Sequence, residues 1–390
     1  MTSLKLNIKG EYNSVMNKIK IGLVGYGYIG KIHSIGYLNI PLIFPELKDR
    51  IEMTKVIRRK NSLKEESYWL ERGEDLEELV NGGIHFADIC TPNFLHLPQI
   101  SFLANKGVNI YCEKPLGINF QESTAISEVA EEKKIINQVA LVYRFMPALA
   151  KARAYINNGG IGKIISFRTH LLHSSYLNPS RSITWRLEKE KSGGGVLIDL
   201  GIHLTDTIRF LLGEAVALTA DTKTLFNKRT DSNGSKSTVD VDEWGLINLE
   251  MVSGAKGTIE VSKVSLNPLE SFNIEIYGTN GFIKISDHTF NDPIVYSFSK
   301  KDNSIKSIFL KDSGTDQYVK YLETIVPSGK MSLGSMVNLH LASIMNMLKN
   351  IESSRIIFEE TPTFRESAKS QKIIDCAYQS SKAGGRRVTI

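Results

Sequence analysis

A chain of 390 residues is longer than one typical domain, and its length predicts two. Hydrophobic residues make up 42% and charged residues 23%, the balance of a globular protein with substantial cores. The formal net charge of +6 is scattered along the chain, and short basic runs such as "RRK" and "GGRRV" are too brief for a nucleic-acid footprint. The three cysteines, Cys90, Cys112 and Cys376, lack the count and spacing of a disulfide scaffold or a zinc site. No run of eighteen apolar residues offers a membrane span, and the opening lacks the apolar core of a signal peptide. The expectations are a flexible extension over residues 1–17, no membrane, no nucleic-acid partner and a cytoplasmic location.

The first strand reads as "KIKIGLVG", residues 18–25, with a helix beginning in "YIGKIHSIGYL". Strands follow at 51–58, 85–91, "GVNIYCEKP" and "INQVALVYR", separated by helices at 74–80, "PQISFLANKG" and 121–134. Short apolar strands alternating with helices predict a parallel sheet covered on both faces. Residues 18–145 therefore make a doubly wound α/β domain. The pattern then changes. Strands at 163–173, 215–226, 243–250, 256–264 and 272–286 alternate inside and outside, partly joined by Gly-rich turns. They predict a second α+β domain, residues 146–390, on a largely antiparallel open sheet. Helices at 333–350 and 366–380 close the chain, and this last segment could return to the first domain.

"GYGYIG", residues Gly25, Tyr26, Gly27, Tyr28, Ile29 and Gly30, fits G-x-G-x-x-G directly between a strand and a helix. Gly25 permits the tight turn, Gly27 the approach of a pyrophosphate, and Gly30 close helix–strand packing, which predicts a Rossmann dinucleotide site. The helix end adds free N–H groups for the anion. NAD specificity calls for an acid at the end of the second strand, but "VIRRKN" places Arg58 and Arg59 there. Either could meet a 2′-phosphate, so the cofactor is NAD or NADP with a slight lean to NADP. Thr91, Pro92 and Asn93 end the third strand at the ligand edge of the sheet, with His96 close behind as a cap or crevice residue.

Glu113 and Lys114 stand at the next strand end. Lys114 can reach a substrate hydroxyl and favour a developing alkoxide, while Glu113 could hold a cofactor ribose or orient the lysine. A bland reading is an exposed ion pair at a turn. In "GGGVLIDLGIHLTD", Asp199 and His203 are four residues apart and share a helix face, with Asp206 nearby. Histidine titrates near neutrality, so this face can bind a polyol and move its proton. A satisfied polar helix face is the structural alternative. The spacing supplies too few ligands for a metal, so none is expected. Tyr176, Trp185 and Arg186 could line a sugar pocket, and of His170 and His173 at most one is expected to reach it.

The stretches "GLVGYGYIGKIH", "ICTPNFLH", "YCEKPLG" and "SGGGVLIDLGIHLTD" resemble the glucose–fructose oxidoreductase, inositol dehydrogenase and rhizopine-catabolism family over residues 18 to 380. The resemblance implies a catalytic site of Lys114, Asp199 and His203, with His203 as acid/base. It further implies hydride transfer between a nicotinamide cofactor and a hydroxyl carbon of an inositol, sugar or derivative. A homodimer or homotetramer through the open sheet is also implied. The alternative is a non-catalytic sugar- or nucleotide-sensing regulator that retained the pocket. No basic recognition helix supports that reading.

Overall fold

The computed structural model describes residues 18–59, 68–231, 234–299, 301–310 and 316–390. The extension over 1–17 lies outside the described residues. The first domain is a six-stranded parallel sheet in the order β3-β2-β1-β4-β5-β6. Its strands are β1 (Ile19–Val24), β2 (Ile51–Ile57), β3 (Glu71–Gly73), β4 (Phe86–Ile89), β5 (Asn109–Cys112) and β6 (Asn137–Val139). The central strands β1, β4 and β5 are almost wholly buried, which is why they read as continuous apolar runs. The helices between them are α1 (Tyr28–Ile43), α2 (Glu77–Asn81), α3 (His96–Asn105) and α4 (Phe120–Glu132). Order reverses between β1 and β4, and the crevice beyond the strand ends at such a point is where α/β sheets bind ligands.

The strand expected over "INQVALVYR" is cut short. β6 ends at Val139, and Val142–Phe145 forms a 3₁₀ turn. Arg144 is drawn out of the sheet by Asp206, whose carboxylate it grips bidentately at 2.8 and 2.7 Å. Asp206 is thereby committed to holding the two domains rather than to the shared face read from the sequence. Helix α5 (Pro147–Asn157) then leads into the second domain.

That domain holds a nine-stranded sheet in the order β16-β15-β14-β13-β7-β12-β11-β8-β17. Its strands are β7 (Ile164–Leu172), β8 (Ala215–Lys223), β11 (Trp244–Met251), β12 (Lys256–Ser262), β13 (Phe272–Gly278), β14 (Gly281–Ser286), β15 (Ile294–Ser299), β16 (Ser304–Ile308) and β17 (Val388–Thr389). Strands β9 (Lys228–Thr230) and β10 (Lys236–Thr238) form a separate hairpin. Among the described residues of this sheet, only β7 and β12 pair in parallel. The run expected as one strand over 272–286 is the β13–β14 hairpin, turning at Gly278–Gly281. The helices are α6 (Lys189–Ser192), α7 (Ile202–Leu212), α8 (Gln317–Ile325), α9 (Ser335–Glu352) and α10 (Phe364–Lys382).

The last two helices join the domains. α9 packs against α1, and α10 against α4, α7 and β8. Tyr111 of β5 donates to the Ser343 hydroxyl at 2.9 Å, and Gln138 of β6 donates to the Ser343 carbonyl at 2.8 Å. One continuous apolar core accordingly runs from β1 through β14 to α10.

Candidate active site

Gly25, Gly27 and Gly30 differ in what surrounds them. Gly25 has φ of +95°, and a Cβ there would lie 2.9 Å from the Cys90 carbonyl oxygen. At Gly30 a Cβ would come within 2.3 Å of the Gly25 carbonyl oxygen. Gly27 caps α1 without any side-chain hydrogen bond, and a Cβ there would meet nothing within 4 Å. A tight turn, a closely packed helix and an open N-terminus fit a pyrophosphate laid against the first turn of α1. Tyr28 is exposed beside this turn, while Tyr26 and Ile29 are partly buried.

The neighbouring expectations divide. The Arg58 side chain is buried and its guanidinium lies 5.1 Å from the Tyr26 ring centroid, whereas Arg59 is exposed. Thr91 donates to Gln99 at 2.6 Å, and Asn93 donates to the Ser192 carbonyl at 2.7 Å. Pro92 precedes the 3₁₀ turn Asn93–Leu95. His96 is buried, with Nε2 3.0 Å from the Thr91 carbonyl and Nδ1 3.1 Å from that of Pro115. It ties the turns after β4 and β5 together as part of the crevice wall.

β5 delivers Glu113 and Lys114 to the crevice, and the Lys114–Pro115 peptide is cis. The Lys114 ammonium donates to Asp199 Oδ1 at 2.8 Å and to the Asp199 carbonyl at 2.9 Å. Lys114 thus meets Asp199 across the domain boundary. The triple glycine makes this approach possible. Gly193 has φ of +80°, and a Cβ there would fall 1.9 Å from the Ile118 carbonyl oxygen, just beyond the Lys114 turn. The Asp242 carboxylate accepts the N–H groups of Gly195 and Leu197, each at 2.8 Å, and so anchors the segment's start.

Asp199 does not lie in a regular α-helix. Leu197–Gly201 forms a π-turn ahead of α7, so the simple i,i+4 geometry expected for Asp199 and His203 is replaced by a wider one. Burial alone would raise the Asp199 carboxyl, but the ammonium groups of Lys114 and Lys263 hold it well below the usual carboxylate range. Burial, reinforced by the Lys114 charge, pushes the His203 imidazole down to about 3. His203 is therefore neutral near neutrality, packed edge-on to Tyr143 with ring centroids 5.2 Å apart.

Lys263 is the site residue that sequence reasoning missed. It directly follows β12, is buried, and forms an ion pair with Asp199 Oδ2. Its ammonium also lies 4.7 Å from the Tyr176 ring centroid and 3.5 Å from the Tyr176 hydroxyl. The signal was a lysine at the end of an alternating core strand, whose partner is 64 residues away. Tyr176 is held from behind by Arg229, fully buried against Glu243 at 2.7 Å and bonded to the Tyr176 carbonyl. His173 lies just past β7, its basicity lowered by burial and by the Lys263 charge. Trp185 packs edge-on to Phe94 at 6.1 Å, and the exposed Arg186 stacks on Trp185 at 4.4 Å. These last two sit at the rim beside the turn after β4.

Glu113 turns inward. Its Oε2 accepts the Lys114 N–H at 3.2 Å and its Oε1 lies 3.1 Å from His33 Nε2. Both oxygens are engaged within the protein, an arrangement that favours lysine orientation over ribose binding.

Residues 19–141 match an oxidoreductase family with an NAD-binding Rossmann fold, and residues 149–284 match the GFO/IDH/MocA C-terminal domain. A levoglucosan dehydrogenase of Pseudarthrobacter phenanthrenivorans is 32% identical over 309 residues, covering 74% of this chain and 75% of the relative. The scyllo-inositol 2-dehydrogenase (NAD(+)) of Bacillus subtilis is 31% identical over 276 residues, covering 69% and 74%. A solved levoglucosan dehydrogenase in complex with NADH and L-sorbose matches with a TM-score of 0.85 at 27% identity, covering 96% of this chain and 99% of that one. The glycine turn, the domain pair and these likenesses agree: the chain belongs to the GFO/IDH/MocA family and is an oxidoreductase with an NAD-binding Rossmann domain.

Proposed function

We propose that this protein oxidises a secondary hydroxyl of a sugar, anhydrosugar or inositol, using NAD. The observation that carries the proposal is the Asp199 carboxylate between two ammonium groups, Lys114 and Lys263, beside the neutral His203. One carboxylate facing two cations leaves surplus positive charge, which favours a developing alkoxide. The Lys114 ammonium spends two donors on Asp199 and has a third for a substrate oxygen. His203 accepts the hydroxyl proton as the carbonyl forms. Nicotinamide, when bound, supplies the acceptor for the hydride. Tyr176 is buried between Arg229 and the Lys263 ammonium, so its part is to hold Lys263 toward the site rather than to wall the sugar pocket.

NAD rather than NADP is supported by the match to an NAD-binding Rossmann fold and by a relative named scyllo-inositol 2-dehydrogenase (NAD(+)), while Arg58 is buried against Tyr26 and Arg59 stays exposed. The relatives include enzymes named for levoglucosan, scyllo-inositol and myo-inositol, which sets the substrate panel. Assembly through the outer face of the second sheet, with a further copy of this chain as occupant, completes the reading. In the test, inositols, aldoses and anhydrosugars are each offered with NAD and with NADP, and reduced-nicotinamide absorbance is followed. Turnover of at least one polyol with NAD is expected. Lys114→Met and Lys263→Met should each lower kcat/KM, by about 100-fold and about 10-fold, with NAD affinity nearly unchanged. Wild-type rates in both variants, or no turnover across the panel, would defeat the proposal.

A further inference from the structure

Behind the Lys114 turn lies a buried group of ionisable side chains that the reaction itself does not use. His33 projects from α1 and is fully buried. Its Nδ1 is 2.9 Å from Asp88 Oδ2 on β4, and its Nε2 is 3.1 Å from Glu113 Oε1. Asp88 also accepts from the Tyr37 hydroxyl at 2.9 Å. Each imidazole nitrogen therefore faces a carboxylate oxygen. A neutral ring carries one proton and would turn a lone pair toward one of these acceptors. An imidazolium satisfies both.

We infer that His33 is a positioning residue, an imidazolium that clamps Glu113 as a carboxylate and thereby fixes, through the Lys114 N–H, how Lys114 leaves β5 toward Asp199. The inference rests on the dehydrogenase reading only for its kinetic consequence. Tyr37 shares the α1 face, Asp88 faces the ring from β4 and Cys90 from just past it, Tyr111 and Glu113 from the β5 end, and His340 from α9. Burial opposes the charge on His33, but Asp88 and Cys90 together outweigh it and raise the ring well above its ordinary value. Glu113, which burial alone would raise, is held down at about 2, mainly by His33. His340, whose ring centroid is 5.1 Å from that of His33, is pushed by burial to about 4 and stays neutral. The sign follows: the clamp is complete below the ordinary histidine value and is lost only as pH rises through the raised one.

The direct experiment labels histidine nitrogens in the full chain and reads the ring by NMR, using His33→Gln for assignment. If His33→Gln does not fold, Asp88→Asn, which keeps an acceptor but removes its charge, serves instead. Both ring nitrogens of His33 should be protonated at pH 8, and Asp88→Asn should move the titration to lower pH. In kinetics, His33→Gln or Asp88→Asn should lower kcat about tenfold or more while the Kd for NAD changes less than about threefold. The alkaline limb of kcat should shift to lower pH in Asp88→Asn, which loss of packing alone would not produce. A neutral His33 ring at pH 8 overturns the inference, whether or not any polyol is turned over. A tightly bound divalent ion with a His33 nitrogen as ligand overturns it equally, since His33, Glu113 and His340 place one ligand atom each within 4.8 Å of one another. Unchanged kcat in variants that bind NAD overturns the kinetic role alone.

Discussion

Asp199 and His203 are neighbours whose environments drive them in opposite senses of charge. The two ammonium groups hold Asp199 ionised, and burial beside Lys114 holds His203 neutral. Both groups stay in the form that the proposed oxidation requires well into the acid range. The acid limb of kcat/KM should therefore fall below about pH 5, far under the ordinary histidine value. Steady-state rates across a pH series check this, and a limb near that ordinary value would assign the base elsewhere. Linkage has a matching sign. The unfolded chain protonates His203 below its ordinary value while the folded one does not, so this residue makes stability fall as pH drops toward about 3. At this scale the sequence made Lys114, Asp199 and His203 legible as residue types suited to the chemistry. Lys263 was not legible, because a lysine at a strand end says nothing until its partner is known.

Among the elements, the segment from Gly193 to the start of α7 decides whether the site exists. Its glycines let backbone pass backbone, and its π-turn sets the direction of Asp199. Gly193→Ala places a Cβ against the Ile118 carbonyl and strains a positive φ, so a loss of about 1–3 kcal/mol in stability is expected. Because Ile118 follows the Lys114 turn, the same substitution should lower kcat by about tenfold or more. Thermal denaturation and turnover of the variant check both effects, and full activity with an unchanged Tm would show that the contact is dispensable. The sequence displayed the glycine run but not its partner. A run of three glycines signals close approach without saying to what.

For the whole molecule, α9 and α10 convert two domains into one body. Ser343 of α9 bonds to β5 and β6, and the Phe364 N–H of α10 donates to Asn137 Oδ1 of β6 at 2.8 Å, so both helices hold the Rossmann strands from the far end of the chain. Across the second sheet, Phe282 pairs with Tyr277 and Tyr296, and Phe298 pairs with Ile305. Tyr296, Phe298 and Ile305 are exposed, forming an apolar face suited to a self-complementary contact with a second copy. Wild-type protein should have at least the dimer mass in light scattering, and a Tyr296→Glu/Phe298→Glu variant should shift toward monomer while keeping its fold. A monomeric wild type would remove this face from the proposal.

The sequence by itself determined the doubly wound domain, the glycine turn, the antiparallel second domain and the residue types of the candidate site. Those features are carried by local periodicity and short motifs, which need no distant partner to be read. Tertiary structure alone decided that β6 stops at Val139, that Asp206 serves Arg144, that Arg58 lies under Tyr26 and that Lys263 joins Asp199. Each of those outcomes is a pairing of groups far apart in the chain, and charge or packing between such groups exists only after folding brings them together.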